Sequence, residues 1–144
     1  MFMQLLIGSG LTIATVIFAV LVWGFTESRL SKLHVWSLTP PHGPKLMTIL
    51  ALTLLGTLAM MTVAVWGWAI AFRLLGLFET FEASVYFALV SFTTLGFGDV
   101  LLPEEWQLLG GLAAANGLLL FGLLTAIVVE TLREIRVRHK RDHH

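Results

Sequence analysis

The most informative segment of the chain is Ser91-Phe92-Thr93-Thr94-Leu95-Gly96-Phe97-Gly98-Asp99. Glycine alternates with other residues near its end, and glycine adopts positive φ as readily as negative φ. A strand built this way can aim successive carbonyl oxygens to one side, and four copies around an axis would stack them into rings. Long apolar runs flank the segment, and non-helical backbone at membrane depth is tolerated only where protein buries it or it lines a wet cavity. The segment therefore predicts the lining of a pathway.

Three apolar runs predict a membrane protein. Of the 144 residues, 57% are apolar and 12% are charged, whereas soluble domains are nearer half apolar and a quarter charged. The runs cover residues 5–25, 46–72 and 108–129, and about 20 residues suffice to cross a bilayer as a helix. A cleaved signal peptide is the alternative for the first run. Signals begin with a basic region, and residues 1–4 carry no charged side chain, so we predict a retained transmembrane helix.

The segment just before the motif is too short to span a membrane. As a helix, residues 80–92 would be about 20 Å long, which favours a re-entrant or buried helix. Thr80 is a suitable N-cap, and Glu79 and Glu82 suit the positive end of the helix dipole. The negative, carboxyl end of this helix would point at the predicted pathway.

The Lys and Arg counts predict the orientation. Residues 26–45 carry three of these side chains, and the tail from residue 133 carries five. Residues 73–107 carry one, Arg73, against five acidic side chains. Because basic loops stay on the cytoplasmic side, both 26–45 and the tail are expected there, with the amino terminus outside.

Several classes of function find no support in the composition. The chain has no cysteine, which excludes disulfides and thiolate chemistry. No catalytic constellation is visible, so we predict that the protein is not an enzyme, and we expect no nucleic acid partner and no cofactor. Trp66 and Trp68, near the end of the second run, are interpreted as anchors at the membrane interface.

The segment Thr94-Leu95-Gly96-Phe97-Gly98-Asp99 resembles the selectivity filter of potassium channels, which usually reads Thr-Val-Gly-Tyr-Gly-Asp. Such filters replace the hydration shell of an ion with rings of carbonyl oxygens, the arrangement that the glycine spacing allows. The resemblance implies an outer helix at 46–73, a pore helix at 80–92, a filter at 93–99 and an inner helix at 106–132.

Carried over by position, the resemblance implies which residues bind K⁺. The carbonyls of Thr94, Leu95, Gly96 and Phe97 would coordinate the ion, and the hydroxyl of Thr94 would complete the innermost site. Gly98 belongs to the same set and would supply its backbone geometry.

The same resemblance implies that Thr93, Asp99 and Val90 support the filter. Some bacterial members carry a glutamate at the position of Val90 that pairs with the aspartate, and that carboxylate pair is absent here. Tyr86 offers Asp99 a hydroxyl instead, and the sequence leaves this pairing open.

The stretch from Phe121 to Ala126 matches a Phe-Gly-Leu-x-Thr-Ala stretch of small bacterial potassium channels. On that alignment Gly117 falls at the gating-hinge glycine, and Leu118, Phe121 and Thr125 would face the water-filled cavity or its exit. Two alternatives stay open. Gly117 would serve close helix packing instead of acting as a hinge. Asn116 would form a hydrogen bond between helices instead of lining the cavity.

We therefore expect an all-α integral membrane protein with three transmembrane helices, a re-entrant pore helix and a filter loop. The expected organisation is an extra transmembrane helix at 1–26, a cytoplasmic linker at 27–45, a pore domain at 46–132 and a basic cytoplasmic tail at 133–144.

The function implied is passive, potassium-selective conduction by a homotetramer in a membrane, by resemblance the bacterial inner membrane. The alternatives are a less selective cation channel and a non-conducting accessory subunit. The expected partners are lipid and three further copies of the chain, and a separate regulatory subunit remains open.

Overall fold

The computed structural model describes the backbone of residues 1–37 and 42–141, and the side chains of residues 1–24 and 47–133. The helices in these ranges are α1 (Phe2–Ser37), α2 (His42–Leu74), α3 (Phe81–Phe92) and α4 (Gln107–Arg141), with a 3₁₀ turn at Glu104–Trp106. Three stretches are long and apolar enough to cross a membrane: Phe2–Gly24, Met47–Leu74 and Glu104–Arg133. The predicted fold class is therefore confirmed.

The long helices extend beyond the apolar runs that predict them. α1 continues to Ser37 through the first part of the predicted linker 27–45, because neither glycine nor proline interrupts residues 25–37. Pro40 and Pro41 lie outside the described residues. Pro44 lies in the first turn of α2, where its missing N–H would have no partner within the helix.

Hydrogen bonds of Thr80 define where α3 begins. Thr80 has extended backbone, and its hydroxyl accepts a hydrogen bond from the N–H of Ala83 at 3.1 Å. This confirms the predicted N-cap. Ser84, fully buried on the next turn, donates its hydroxyl to the Thr80 carbonyl at 3.1 Å. The cap thus fixes the start of a 12-residue helix that is too short to span a bilayer.

An aromatic cluster fixes α3 against α2. Trp68 and Phe72 of α2 and Phe92 of α3 are fully buried. The Trp68 ring lies 6.2 Å from that of Phe92, at an interplanar angle of 72°. The Phe72 ring lies 5.3 Å from that of Phe87, at 80°. These edge-to-face contacts add to the stabilisation that burial of the rings provides.

The prediction that Trp68 anchors the protein at the membrane interface is wrong, because its indole lies in this core. Position near the end of a span indicates depth in the membrane and does not indicate which face of the helix a residue occupies. Trp66, two residues earlier, is exposed and packs edge-on against Phe81 with ring centres 6.5 Å apart.

α4 packs against α3, α2 and α1, and α1 packs against α4 and α2. α1 includes the extra transmembrane helix predicted at 1–26. The structure places α1 directly against α4, the predicted inner helix, and Ala19 of α1 belongs to the buried core.

Candidate functional site

The backbone of the filter segment, residues 93–99, alternates in handedness. Thr94, Gly96 and Gly98 have φ of 55°, 56° and 76°, whereas Leu95 and Phe97 between them are not among the residues of positive φ. The alternation that the glycine spacing predicts is therefore present. Such a backbone can aim successive carbonyls to one side, which is the geometry a stack of oxygen rings requires.

Thr94 carries strain that glycine would avoid. Among the described residues it is the one non-glycine residue with positive φ, and positive φ is an outlier for a β-branched side chain. Residues held in sparsely populated regions cost about 1–3 kcal/mol and cluster at functional sites. The positive φ of Thr94 therefore marks the filter segment as a candidate functional site.

The carboxyl end of α3 leads directly into the filter segment. The N–H groups of Thr93, Thr94 and Leu95 each donate a hydrogen bond of 3.0 Å to a carbonyl in the last turn of α3. The Thr93 hydroxyl donates to the Leu89 carbonyl at 2.8 Å. The start of the filter therefore forms the C-terminal cap of the helix, and its backbone is fixed relative to α3.

The rest of the filter segment is uncovered within one chain. Leu95 is 54% exposed and Phe97 is 66% exposed. A Cβ added to Gly96 or Gly98 would meet nothing within 4 Å. Large apolar side chains grouped at an open surface indicate an interaction site.

Asp99 is held by the phenol of Tyr86. The Tyr86 hydroxyl donates to Oδ2 of Asp99 at 2.5 Å, and the N–H of Val100 donates to Oδ1 at 3.0 Å. The hydrogen bond from Tyr86, with the backbone contribution, lowers the pKa of Asp99 below its ordinary value, because both favour the ionised form. This answers the pairing that the sequence leaves open. Val90 is half-buried in the last turn of α3.

Gly117 lies against the end of α3. A Cβ at this position would fall 2.4 Å from the carbonyl oxygen of Phe92 and 2.6 Å from its Cα. These are backbone atoms, so a side chain here would require α3 or α4 to move. The contact favours close packing as the role of Gly117.

The predicted cavity residues share one side of α4. Leu118, Phe121 and Thr125 are all exposed within the chain, at a spacing of three and four residues that keeps them on one face. Phe121 and Thr125 also border an open apolar groove of about 470 Å³ between α2 and α4, and Leu118 does not.

Sequence reasoning missed the contacts that join α1 to the predicted pore domain. Asn116 is fully buried and hydrogen-bonds to Thr15, which favours the inter-helix alternative for Asn116. The partner could not be identified, because a polar residue within an apolar span indicates that a partner exists and not where it lies. No group of His, Cys, Asp and Glu that could hold a metal ion occurs among the described residues.

Comparisons with known proteins agree with this site. A family model described as an ion channel matches residues 49–134. The match covers more than half of the chain, including all of α3 and the filter segment. No curated protein and no solved structure matches the chain.

Proposed function

Since the chain belongs to the family of pore-loop ion channels with two transmembrane helices, which includes potassium channels, we propose that it conducts K⁺ selectively as a homotetramer. The observation that carries this proposal is the alternation of positive φ at Thr94, Gly96 and Gly98. Four such strands around an axis provide rings of carbonyl oxygens that replace the hydration shell of the ion.

Each filter residue has a defined part in this proposal. The carbonyls of Thr94, Leu95, Gly96 and Phe97 coordinate dehydrated K⁺, and the Thr94 hydroxyl adds oxygen ligands at the innermost site. Gly98 supplies backbone geometry at the outer end. Because consecutive sites hold ions at similar energy, an ion entering at one end displaces one at the other, and conduction is passive.

α3 contributes electrostatically. Its carboxyl end leads into the filter, and this end of a helix carries a partial negative charge of roughly half an elementary charge. Four such ends directed at the axis would favour a cation just below the filter, where desolvation is most costly. The hydrogen bonds from Thr93, Thr94 and Leu95 fix this geometry.

The open surface of one chain supports the proposed tetramer. One filter strand provides oxygen atoms on one side of an ion only, and the exposed Leu95 and Phe97 side chains need apolar neighbours. Closed symmetry is the rule among homo-oligomers, and four copies complete both the oxygen rings and the apolar packing behind them.

The proposed orientation places the amino terminus and the outer mouth on the same, extracellular side. The Gln4 side-chain amide donates a hydrogen bond to the carbonyl of Glu105. Glu105 precedes α4, on the same side as Asp99 at the end of the filter. This contact agrees with a shared side for the amino terminus and the outer mouth, and the distribution of Lys and Arg supports the extracellular side.

The test is cation flux from liposomes that contain the pure protein, with K⁺ and Na⁺ gradients measured with and without Ba²⁺. The expected result is K⁺ flux that Ba²⁺ blocks and that far exceeds Na⁺ flux. Equal K⁺ and Na⁺ fluxes would support the less selective channel instead. Absence of flux from an assembled tetramer would contradict independent conduction and support the accessory subunit.

A further inference from the structure

A polar contact within the membrane-spanning helices joins α1 to α4. The fully buried Asn116 donates from Nδ2 to the hydroxyl of Thr15 at 2.9 Å. The Thr15 hydroxyl in turn lies 3.1 Å from Oδ1 of Asn116 and 2.9 Å from the carbonyl of Thr12. Water is not available in the bilayer core to replace a lost partner, so this pair favours one relative placement of the two helices.

Two further contacts extend the interface between α1 and α4, here called the seam, towards the amino terminus of α1. A Cβ on Gly8 would lie 2.4 Å from Cδ1 of Leu112, so the two helices approach closely there. Gln4, which is 8% exposed, reaches the Glu105 carbonyl. Gln4, Gly8 and Thr15 are spaced to share one face of a helix, and α1 is therefore fixed along α4 over several turns.

The seam leads to the base of the filter within two residues. Asn116 is followed by Gly117, where an added Cβ would fall 2.4 Å from the carbonyl oxygen of Phe92. Phe92 is the last residue of α3 and immediately precedes the filter segment. Asn116, Gly117 and Phe92 are all buried, so a shift of α4 at Asn116 displaces packed atoms and not solvent.

We propose that Thr15 and Asn116 are positioning residues for the filter, through which α1 sets the ion selectivity of the pore. Their hydrogen bond holds α4 so that Gly117 supports Phe92 and thereby fixes the height of the Thr94 ring. The inference rests on the proposed function, since it assigns α1 a part in that same site. The simpler role, in which α1 only adds packing area, predicts a change in stability without a change in selectivity.

The experiment compares Thr15→Val with Thr12→Val in reconstituted protein. Valine has the shape of threonine without its hydroxyl, and the Thr12 hydroxyl donates only along its own helix, to the Gly8 carbonyl at 2.8 Å. Two quantities are measured: the ratio of K⁺ to Na⁺ flux, and the K⁺ concentration that gives half of the maximal thermal stabilisation of the tetramer. The second reports ion binding without requiring an open pore.

We expect Thr15→Val to change each quantity roughly threefold, which corresponds to the average free energy of a hydrogen bond between membrane helices. The largest such free energies correspond to a change of about twentyfold. Thr12→Val and Thr15→Ser should keep wild-type values. Asn116→Leu combined with Thr15→Val should change the ratio no more than the larger single effect, because both remove the same bond.

Two results would overturn the inference, and they differ. If the wild type conducts selectively and Thr15→Val matches Thr12→Val in both quantities, α1 does not set selectivity and the proposed function stands. If the wild type shows neither selective flux nor stabilisation by K⁺, the proposed function fails and the inference fails with it.

Discussion

At the scale of single residues, the filter depends on backbone torsions more than on side chains. Gly96 has φ of 56°, and a Cβ there meets nothing within 4 Å of its own chain, so within one chain alanine adds no crowding and places a Cβ in the left-handed region. That costs about 1–2 kcal/mol in each subunit, and four subunits contribute to each ring. We expect Gly96→Ala to abolish K⁺ flux from liposomes and to leave the tetramer assembled.

The matched control is Gly56→Ala. Gly56 lies in α2, a Cβ there also meets nothing within 4 Å, and its φ is not positive. This variant should conduct like the wild type. Normal flux through Gly96→Ala would contradict coordination by the filter carbonyls.

Asp99 provides a pH-dependent prediction. The hydrogen bond from Tyr86 lowers the pKa of Asp99. The stabilisation that ionised Asp99 gives the outer filter is therefore fully present above the ordinary pKa of an aspartate, and it is lost as pH falls through the lowered pKa. Wild-type flux should therefore stay constant from pH 7 to about pH 5, well above that range. In Tyr86→Phe, Asp99 should become protonated at a higher pH, and flux should begin to fall earlier on acidification.

Flux measured against external pH, with internal pH held constant, tests this. At neutral pH, Tyr86→Phe should reduce flux roughly two- to fivefold, as expected for an exposed charged contact. Identical pH profiles for the two proteins would show that Tyr86 does not hold Asp99 in the conducting tetramer.

At the scale of helices, the sequence predicted those features that depend on neighbouring residues. The three spans follow from run length, the start of α3 from the hydroxyl of Thr80, and the alternating φ from the spacing of Gly96 and Gly98. The membrane-spanning part of α1, Phe2–Gly24, agrees with the apolar run that ends near Phe25, whereas the helix itself continues to Ser37 because no glycine or proline interrupts residues 25–37. Apolar length measures the membrane-spanning part of a helix and not the helix itself.

Features that depend on contacts between helices could not be predicted. Trp68 was assigned to the membrane interface from its position near the end of a span, although it packs against Phe72 and Phe92. The polar nature of Asn116 indicated a hydrogen bond between helices, and only the structure identifies Thr15 as the partner. These contacts depend on which faces meet, and the nearly uniform apolar character of the three spans contains little information about faces.

Substitution of Gly117 tests the packing of α4 against the end of α3. Alanine here would place Cβ against the Phe92 carbonyl, and overpacking typically costs about 1–3 kcal/mol. Gly117→Ala should therefore lower the thermal stability of the purified protein. Gly122→Ala, in the same helix with nothing within 4 Å of its Cβ, should not. Equal stability of the two variants would favour a hinge over packing as the role of Gly117.

At the scale of the whole molecule, one chain leaves apolar and polar surfaces uncovered. The face of α4 that carries Leu118, Phe121 and Thr125 is exposed, as are Leu95 and Phe97 in the filter. α1 and α2 supply additional apolar surface that lipid can cover. The filter differs because its backbone polar groups need ions, water or neighbouring copies, and lipid cannot satisfy them. The chain alone is 15.9 kDa, and we expect four copies in the purified protein.

Ion binding and assembly should therefore be coupled. If K⁺ binds only where four filters meet, it binds the tetramer and not separate chains, and it stabilises the tetramer by mass action, by about 2.7 kcal/mol at a concentration one hundred times the dissociation constant. Raising K⁺ at constant ionic strength should then raise the melting temperature, and Na⁺ should have a much smaller effect. Gly96→Ala should melt at the same temperature in both salts, because its tetramer keeps the packing surfaces and loses the oxygen rings. Equal stabilisation of the wild type by both ions would place the four chains in a less selective assembly.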